Sequence, residues 1–432
     1  MTVTSAELIA RLKAVECRDS TWTAADPPLV FEHAFGSEVH DVEGRRYVDL
    51  CAGFGALPLG HNHPAVRAVF ARYAGQAPAS VDSTSARSYP LVHGMGDVYP
   101  SRAKIELLEQ LLSLMPSRLN RAALALSGSQ AVEIALKTAM LATGKSGFIA
   151  FADGYHGLDL GVLPVTARPD FRKPFATWIS AETKVQRLAF GCSSAEIQLA
   201  ISELAADACG FAGVIVEPIQ GRGGVVIPAE GWLAGVVEMV HAAHGLAIFD
   251  EVFVGLGRTG VWTHGSDIAA DLICLGKALG GGMPLSACVG TKQVMDAWPE
   301  SQGEALHTGT FFGHPLSCEI GRATLNAIVA EKLCERARDF GAEMLEDLRQ
   351  SLKQVSGIVE IRGRGMMLGI EFASAGSGAQ MMDMLRRCGV LALAAGPMGQ
   401  ILQLSPALNL SHELWTMARQ SIVASARIVC SR

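Results

Sequence analysis

GLAIFDEVFVGLGRTGVWTHGSDIAADLICLGKALGGGMP, residues 245–284, is the stretch whose reading decides the fold. It opens on Leu246-Ala247-Ile248-Phe249, a short apolar run bounded like a buried strand, which delivers Asp250 at its carboxyl end. A second run, Asp271-Leu272-Ile273-Cys274-Leu275-Gly276, delivers Lys277, and glycines follow at once. An acid at one strand end, a lysine at the next and exposed backbone beside them suit pyridoxal phosphate. That cofactor needs an amine for its Schiff base and a carboxylate to keep its ring nitrogen protonated. A surface lysine beside a turn is the lesser of the two readings of Lys277, and this stretch by itself leaves it open.

The bulk of the chain narrows the class. Its 432 residues allow two or three domains, and 49% hydrophobic against 18% charged residues supply a large core. A net charge of −6 without a basic arm argues against a nucleic-acid partner. No apolar run approaches the ~18 residues of a membrane span. The first residues, MTVTSAELIARLKAVECRDS, mix charges into a helical pattern and lack a signal-peptide core. Ten cysteines without paired spacing read as reduced thiols of a cytoplasmic protein.

Outward from the opening stretch, the order of elements predicts the architecture. A helix to about Asp26 precedes short period-two runs (29–34, 38–42, 44–50) that read as antiparallel hairpins. Pro64 opens a helix through Val66 and Val69. His61 and His63 lack a third ligand, so they read as hydrogen-bonding turn residues rather than a metal site. From Lys104, helices and strands alternate: helix 104–115, strand 122–126, helix 130–143, strand 147–151, helix 194–208, strand 212–217 and helix 232–244. This alternation predicts a mainly parallel sheet between helices, with ligands at the strands' carboxyl ends. A long helix (316 to about 337) and strands 358–362, 365–372, 391–394 and 401–404 predict a smaller α+β domain. The expected division is an N-terminal segment (1–64) serving the small domain, a large domain (65–315) and a C-terminal small domain (316–432).

Several candidate residues fall at the predicted strand ends. In SGSQAVE, Gly128 and Ser129 open a helix whose free N–H groups and dipole suit a phosphate, although Ser129 could equally be a plain cap. Tyr155 in the turn YHG could stack on a flat ring or simply pack. Glu217 and Gln220 end another strand and point at the same edge, or lie in a surface turn. Asp250 would hold a pyridine nitrogen cationic, and Val252, two residues on, would press on the ring face.

The series SGSQAVE, YHG, EPIQGRGG, DEVFVGLGRTG, LGKALGGGMPLSA, HTGTFFGHPLS and RGRGMMLGIEF resembles the class-III pyridoxal-phosphate aminotransferases, in order from about Phe31 to Leu408. The resemblance implies fold type I, a mainly parallel large domain plus a smaller α+β domain. It also implies a homodimer with active sites at the subunit interface. It implies Lys277 as the Schiff-base lysine and proton carrier, Asp250 on the ring nitrogen, and Gly128 and Ser129 on the phosphate. Tyr155 would stack on the ring, Gln220 would approach its hydroxyl, and Thr310 would reach the phosphate of the neighbouring subunit.

Departures from the family pattern bear on the substrate. Arg222 stands in EPIQGRGG where many members carry glutamate, and Gln403 stands in ILQLSP where many carry the arginine that binds the substrate carboxylate. Either Arg222 has become the carboxylate anchor, for which its planar fork is suited, or it faces solvent and the substrate lacks an α-carboxylate. Phe253 occupies a frequently polar position, and with Phe54 and Leu57 it hints at a substrate with apolar bulk. His314 replaces a usual asparagine and is expected to repeat that amide's structural hydrogen bonds. The expected activity is transamination between an amine donor and a keto acid or aldehyde. A racemase or epimerase of the amino-lactam type is the alternative, because such enzymes also lack that arginine.

Overall fold

The computed structural model describes residues 3–17, 29–74, 90–93, 95–96, 98–179 and 184–431. The N-terminal helix runs Ser5–Val15, opened by a Thr4–Glu7 capping box, and the chain is already extended at Glu16. The remainder of the helix expected to about Asp26 lies outside the described residues. Strands β1 (Phe31–Phe35), β2 (Glu38–Asp41) and β3 (Arg46–Asp49) form the expected antiparallel hairpins.

A seven-stranded sheet carries the large part of the molecule. Its strands are β4 (Leu119–Ala125), β5 (Gly147–Phe151), β6 (Val185–Leu188), β7 (Phe211–Val216), β8 (Leu246–Asp250), β9 (Leu272–Leu275) and β10 (Ser286–Thr291). They lie in the order β4-β10-β9-β8-β7-β5-β6. Every neighbouring pair is parallel except those of β10, which runs antiparallel to both β4 and β9. β5, β7 and β9 are buried at every position, as strands covered on both faces must be. Alternate residues feed two cores. Phe249, Val214 and Ile273 meet Leu107, Leu204 and Val236 on one face. Ile248, Ile215 and Leu272 meet Val132, Ala135 and Ala139 on the other.

Two of these strands were not anticipated. β6 falls between the expected strand 147–151 and helix 194–208, and β10 is built from Ser, Ala, Cys, Val, Gly and Thr, several of which have weak strand preference. The long helix expected over 316–337 is also corrected. It runs Pro315–Ala330, breaks where Lys332 adopts a left-handed φ of 51°, and restarts as Leu333–Leu352.

Beyond it come β11 (Ile358–Arg364), β12 (Met367–Phe372), β13 (Val390–Leu391), β14 (Leu393–Ala395) and β15 (Ile401–Leu404). The single strand expected over 391–394 is in fact two. β13 pairs parallel to β3, whereas β14 joins the sheet β11-β12-β15-β14. Val48, Leu50 and Leu59 share one core with Phe340, Met344, Leu404 and Trp415. The hairpin strands near the N-terminus and the C-terminal strands and helices thus share one core. Val66 and Val69 of the helix Pro64–Ala74 also enter that core. Among the described residues, no helix is long and apolar enough to cross a membrane.

Candidate active site

Because β5, β7, β8 and β9 are parallel, their carboxyl ends open on one edge, and the sequence places Tyr155, Glu217, Asp250 and Lys277 just beyond them. A cavity of about 350 Å3 lies there, lined by these four residues. Its far end is the start of the helix Gly128–Thr143. Ser127, not Ser129, is the cap, and its hydroxyl accepts from the Gln130 amide at 3.2 Å. The amides of Gly128 and Ser129 donate to no protein group among the described residues. A Cβ at Gly128 would stand 2.6 Å from Val252 Cγ1, so only glycine lets the helix start approach this wall. Ser129 packs directly on Gly157 (φ 122°), and its hydroxyl accepts from the Asp159 amide at 3.3 Å. Unpaired amides on a helix dipole form an anion cradle.

Asp250 is 5% exposed and doubly fixed. His156 Nδ1–H donates to its Oδ2 at 2.8 Å, and the Val252 amide donates to its Oδ1 at 3.1 Å. His156 is itself held by its backbone amide, which donates to Thr166 Oγ1 at 3.2 Å. A buried carboxylate supported in this way is fixed in place and aimed into the cavity. Across from it, Lys277 adopts a φ of 38°, and its Nζ makes no salt bridge among the described residues. The amine stands 4.1 Å over the Phe253 ring. Burial pushes its pKa down to about 8, Asp250 and Glu217 pull the other way, and Arg222 and Arg258 add to the depression.

The near wall is made by Glu217, Tyr155 and Arg222. The Glu217 carboxylate accepts from the Tyr155 and Gly221 amides, both at 2.9 Å. Burial raises its pKa, against the pull of His156. The Arg222 guanidinium is exposed and lies 4.8 Å over the Tyr155 ring and 6.0 Å from that of Phe171. It makes no ion pair among the described residues, so it is available to an anion.

The structure thus brings together Lys277, Asp250, Gly128, Ser129, Tyr155, Glu217, Val252 and Arg222 around one cavity. Four other expected residues stand outside its lining. Gln220 is buried with its amide donating to the Ala152 carbonyl at 2.6 Å, an orientation that lends no support to a ring-hydroxyl contact. Gln403 is 3% exposed within β15. Phe54 is 59% exposed and Thr310 is exposed. His314 caps nothing with its side chain, and its Nδ1 is buried without a partner, contrary to the amide-like role expected. The residue missed was His156. Its only sequence cue is its place between Tyr155 and Gly157, and its partner is 94 positions away.

His61 and His63 are turn residues, as expected. His61 Nε2 lies 2.8 Å from Asp49 Oδ2, and His63 Nδ1 accepts from the Ala65 amide at 3.3 Å. No group of three or more potential ligands is set to hold a metal ion among the described residues.

The geometry fits pyridoxal phosphate on its own terms, with an anion cradle, a fixed carboxylate and an unpaired buried amine on one cavity. Comparison with known proteins agrees. The aminotransferase class-III profile matches residues 21–425. Acetylornithine aminotransferase from Methanosarcina acetivorans is 34% identical over 94% of this chain and 94% of its own. The Methanosarcina mazei enzyme of the same name is 33% identical over 95% and 96%. Ornithine aminotransferase from Toxoplasma gondii superposes with a TM-score of 0.85 at 26% identity, covering 99% of this chain and 96% of that one. An amine transaminase from an uncultivated Pseudomonas species, solved with PLP bound, gives 0.82 at 26% identity over 96% and 98%. The chain belongs to the class-III aminotransferases and is a pyridoxal-phosphate-dependent enzyme of fold type I.

Proposed function

We propose that the enzyme transaminates a donor bearing a carboxylate, with Lys277 carrying the proton and Arg222 holding the carboxylate. The observation that carries this reading is that Lys277 and the Arg222 guanidinium, neither in an ion pair among the described residues, line one cavity. When bound, pyridoxal phosphate supplies the electron sink that acidifies the proton on the donor's amine-bearing carbon. In this reading the Gly128 and Ser129 amides hold its phosphate. Asp250, fixed by His156, faces its ring nitrogen, and Tyr155 and Val252 flank the ring. With a pKa near 8, Lys277 is poised to take a proton as base and return it as acid near neutral pH. Stacking on Tyr155 pre-orients the Arg222 fork for a bidentate carboxylate contact.

The working unit in this proposal is a homodimer in which Thr310 reaches the partner's phosphate site. Exposed Val92, Tyr99, Leu306 and Phe311 form apolar surface that supports such an interface. Cys51, Cys192, Cys209, Cys274, Cys288, Cys318, Cys334, Cys388 and Cys430 form no disulfide, which supports a reducing, cytoplasmic location.

The test is a half-reaction on holo-protein without any keto acid, run in deuterated water with glutamate, alanine, ornithine and 4-aminobutyrate singly. At least one donor is expected to convert the bound cofactor's absorbance permanently. Absorbance that returns while the donor gains deuterium at Cα overturns transamination in favour of racemisation. Arg222→Ala is expected to raise KM for carboxylate donors about 10-fold or more, the scale of a lost charge-assisted pair. An unchanged KM for every such donor overturns the anchor.

A further inference from the structure

Phe253 is held in its place by features of the backbone on two sides. A Cβ on Gly55 would stand 2.8 Å from its Cε2, and a Cβ on Gly221 would stand 2.6 Å from its Cδ1. The ring therefore fills the volume that any other residue at either position would need. Gly55 closes an unusual turn in which Ala52, Gly53, Phe54 and Gly55 all have positive φ (45°, 58°, 59° and 82°). Positive φ at Ala52 and Phe54 is strained backbone, and it persists only where surrounding packing enforces it. The Phe253 ring is the packing partner that this turn meets at Gly55. On the cavity side the same ring lies under the Lys277 amine at 4.1 Å.

The two carboxylates that line the cavity on this side are already committed, and Arg258, whose Nη2 is buried without a partner among the described residues, lies outside the cavity lining. Both oxygens of Glu217 are occupied by backbone amides, and Asp250 is occupied by His156 and the Val252 amide. Arg222 makes no ion pair among the described residues and, with Lys277 reserved for the cofactor, is the cation this wall offers to an incoming carboxylate. Once Lys277 holds the cofactor, a donor whose carboxylate takes Arg222 thus finds no second cation for another carboxylate among the described residues that line the cavity. A second carboxylate would be desolvated against the negative face of an aromatic ring without a counter-charge, at a cost of several kcal/mol.

We propose that Phe253 is a specificity-determining residue that confines the donor's second substituent to an apolar group, so that the enzyme takes amines with one carboxylate and an apolar or aromatic side group. This inference rests on the Arg222 anchor and names the substrate class of the site proposed above. It is tested by calorimetric titration of the holo-protein with two unreactive acids, 3-phenylpropanoate and glutarate. The first should bind at least 10-fold more tightly. Phe253→Gln should reduce that preference to within about 3-fold, whereas Phe253→Leu should keep most of it. Gly221→Ala, which displaces the ring from its slot, should erode the preference as Phe253→Gln does, and it serves as an independent variant if the glutamine protein folds poorly. Tighter binding of glutarate by the wild type, or an undiminished preference in both Phe253→Gln and Gly221→Ala, overturns the proposal. Because neither acid reacts, the comparison is separate from any failure of transamination. Loss of affinity for both acids alike in Arg222→Ala, with the wild-type ratio intact, is the result expected if anchor and wall act independently.

Discussion

Lys277 is the residue on which the chemistry and the cost of the site meet. Its amine is pushed from an ordinary 10.5 down to about 8 by burial, with no ion pair to offset it. A lysine whose folded pKa is depressed destabilises the folded cofactor-free protein wherever it must be charged, which is below about pH 8. The penalty fades as pH rises from 8 toward 10.5, because the unfolded chain then loses its own advantage in binding the proton. The span from 10.5 to about 8 sets an upper limit of about 3 kcal/mol, reduced by the partial solvent access this side chain keeps. After removal of pyridoxal phosphate, Lys277→Met should therefore melt higher than wild type at pH 7, and the difference should shrink by pH 10. A constant difference across that range would mean the charge is not what costs stability. This lysine and Asp250 were legible as strand-end residues, since short apolar runs announce a buried strand. His156 was not, because its pairing with Asp250 is a tertiary contact that no local period encodes.

At the scale of elements, the loop 221–225 between β7 and the helix Trp232–Ala242 decides how the cavity is walled. It is held from outside by Arg362 on β11. Arg362 Nε donates to the Gly224 and Val225 carbonyls at 3.0 Å each, and Nη2 donates to Gly224 again at 2.7 Å. Its Nη1 pairs with Glu360 and Glu371. Gly224 and Val225 both have positive φ, 117° and 57°, so the loop needs this clamp to keep its path. Arg362→Ala should raise KM for carboxylate donors several-fold through a misplaced Arg222, with kcat little changed and the bound cofactor's absorbance unaltered. Arg362→Lys should not rescue KM, because an ammonium cannot reproduce the planar fork. Steady-state kinetics on both variants check this, and equal losses in kcat and kcat/KM would refute a purely positioning role. The order of elements was legible wherever apolar runs alternated with amphipathic helices. It failed at β6 and β10, whose short and weakly apolar sequences gain strand structure only from neighbours already in the sheet. The helix break at Lys332 carries no Pro or Gly to announce it.

For the whole molecule, the sequence suggested that the N-terminal hairpins complete the C-terminal part, and β3 pairing with β13 joins residues more than 340 positions apart. A contact of that separation follows from the global topology and not from either strand alone. The same scale poses a problem of surface. Val92 and Tyr99 are 62% and 66% exposed, and Leu306 and Phe311 are 68% and 51% exposed. The His93 and Phe311 rings lie 5.2 Å apart, so the exposed segments that carry Val92 and Phe311 meet on one face. Such a face is disfavoured in water unless another surface covers it, and a second copy of this chain is the occupant that would also bring Thr310 to a neighbouring phosphate site. Sedimentation of the wild type should therefore give twice the single-chain mass. The double variant Tyr99→Asp/Leu306→Asp should sediment as single chains, because two charges would have to be buried unpaired at the interface. Those single chains should bind pyridoxal phosphate more weakly and turn over at least 10-fold more slowly. A wild type that sediments as single chains at full activity would remove Thr310 from the site and leave each copy to complete its own cavity.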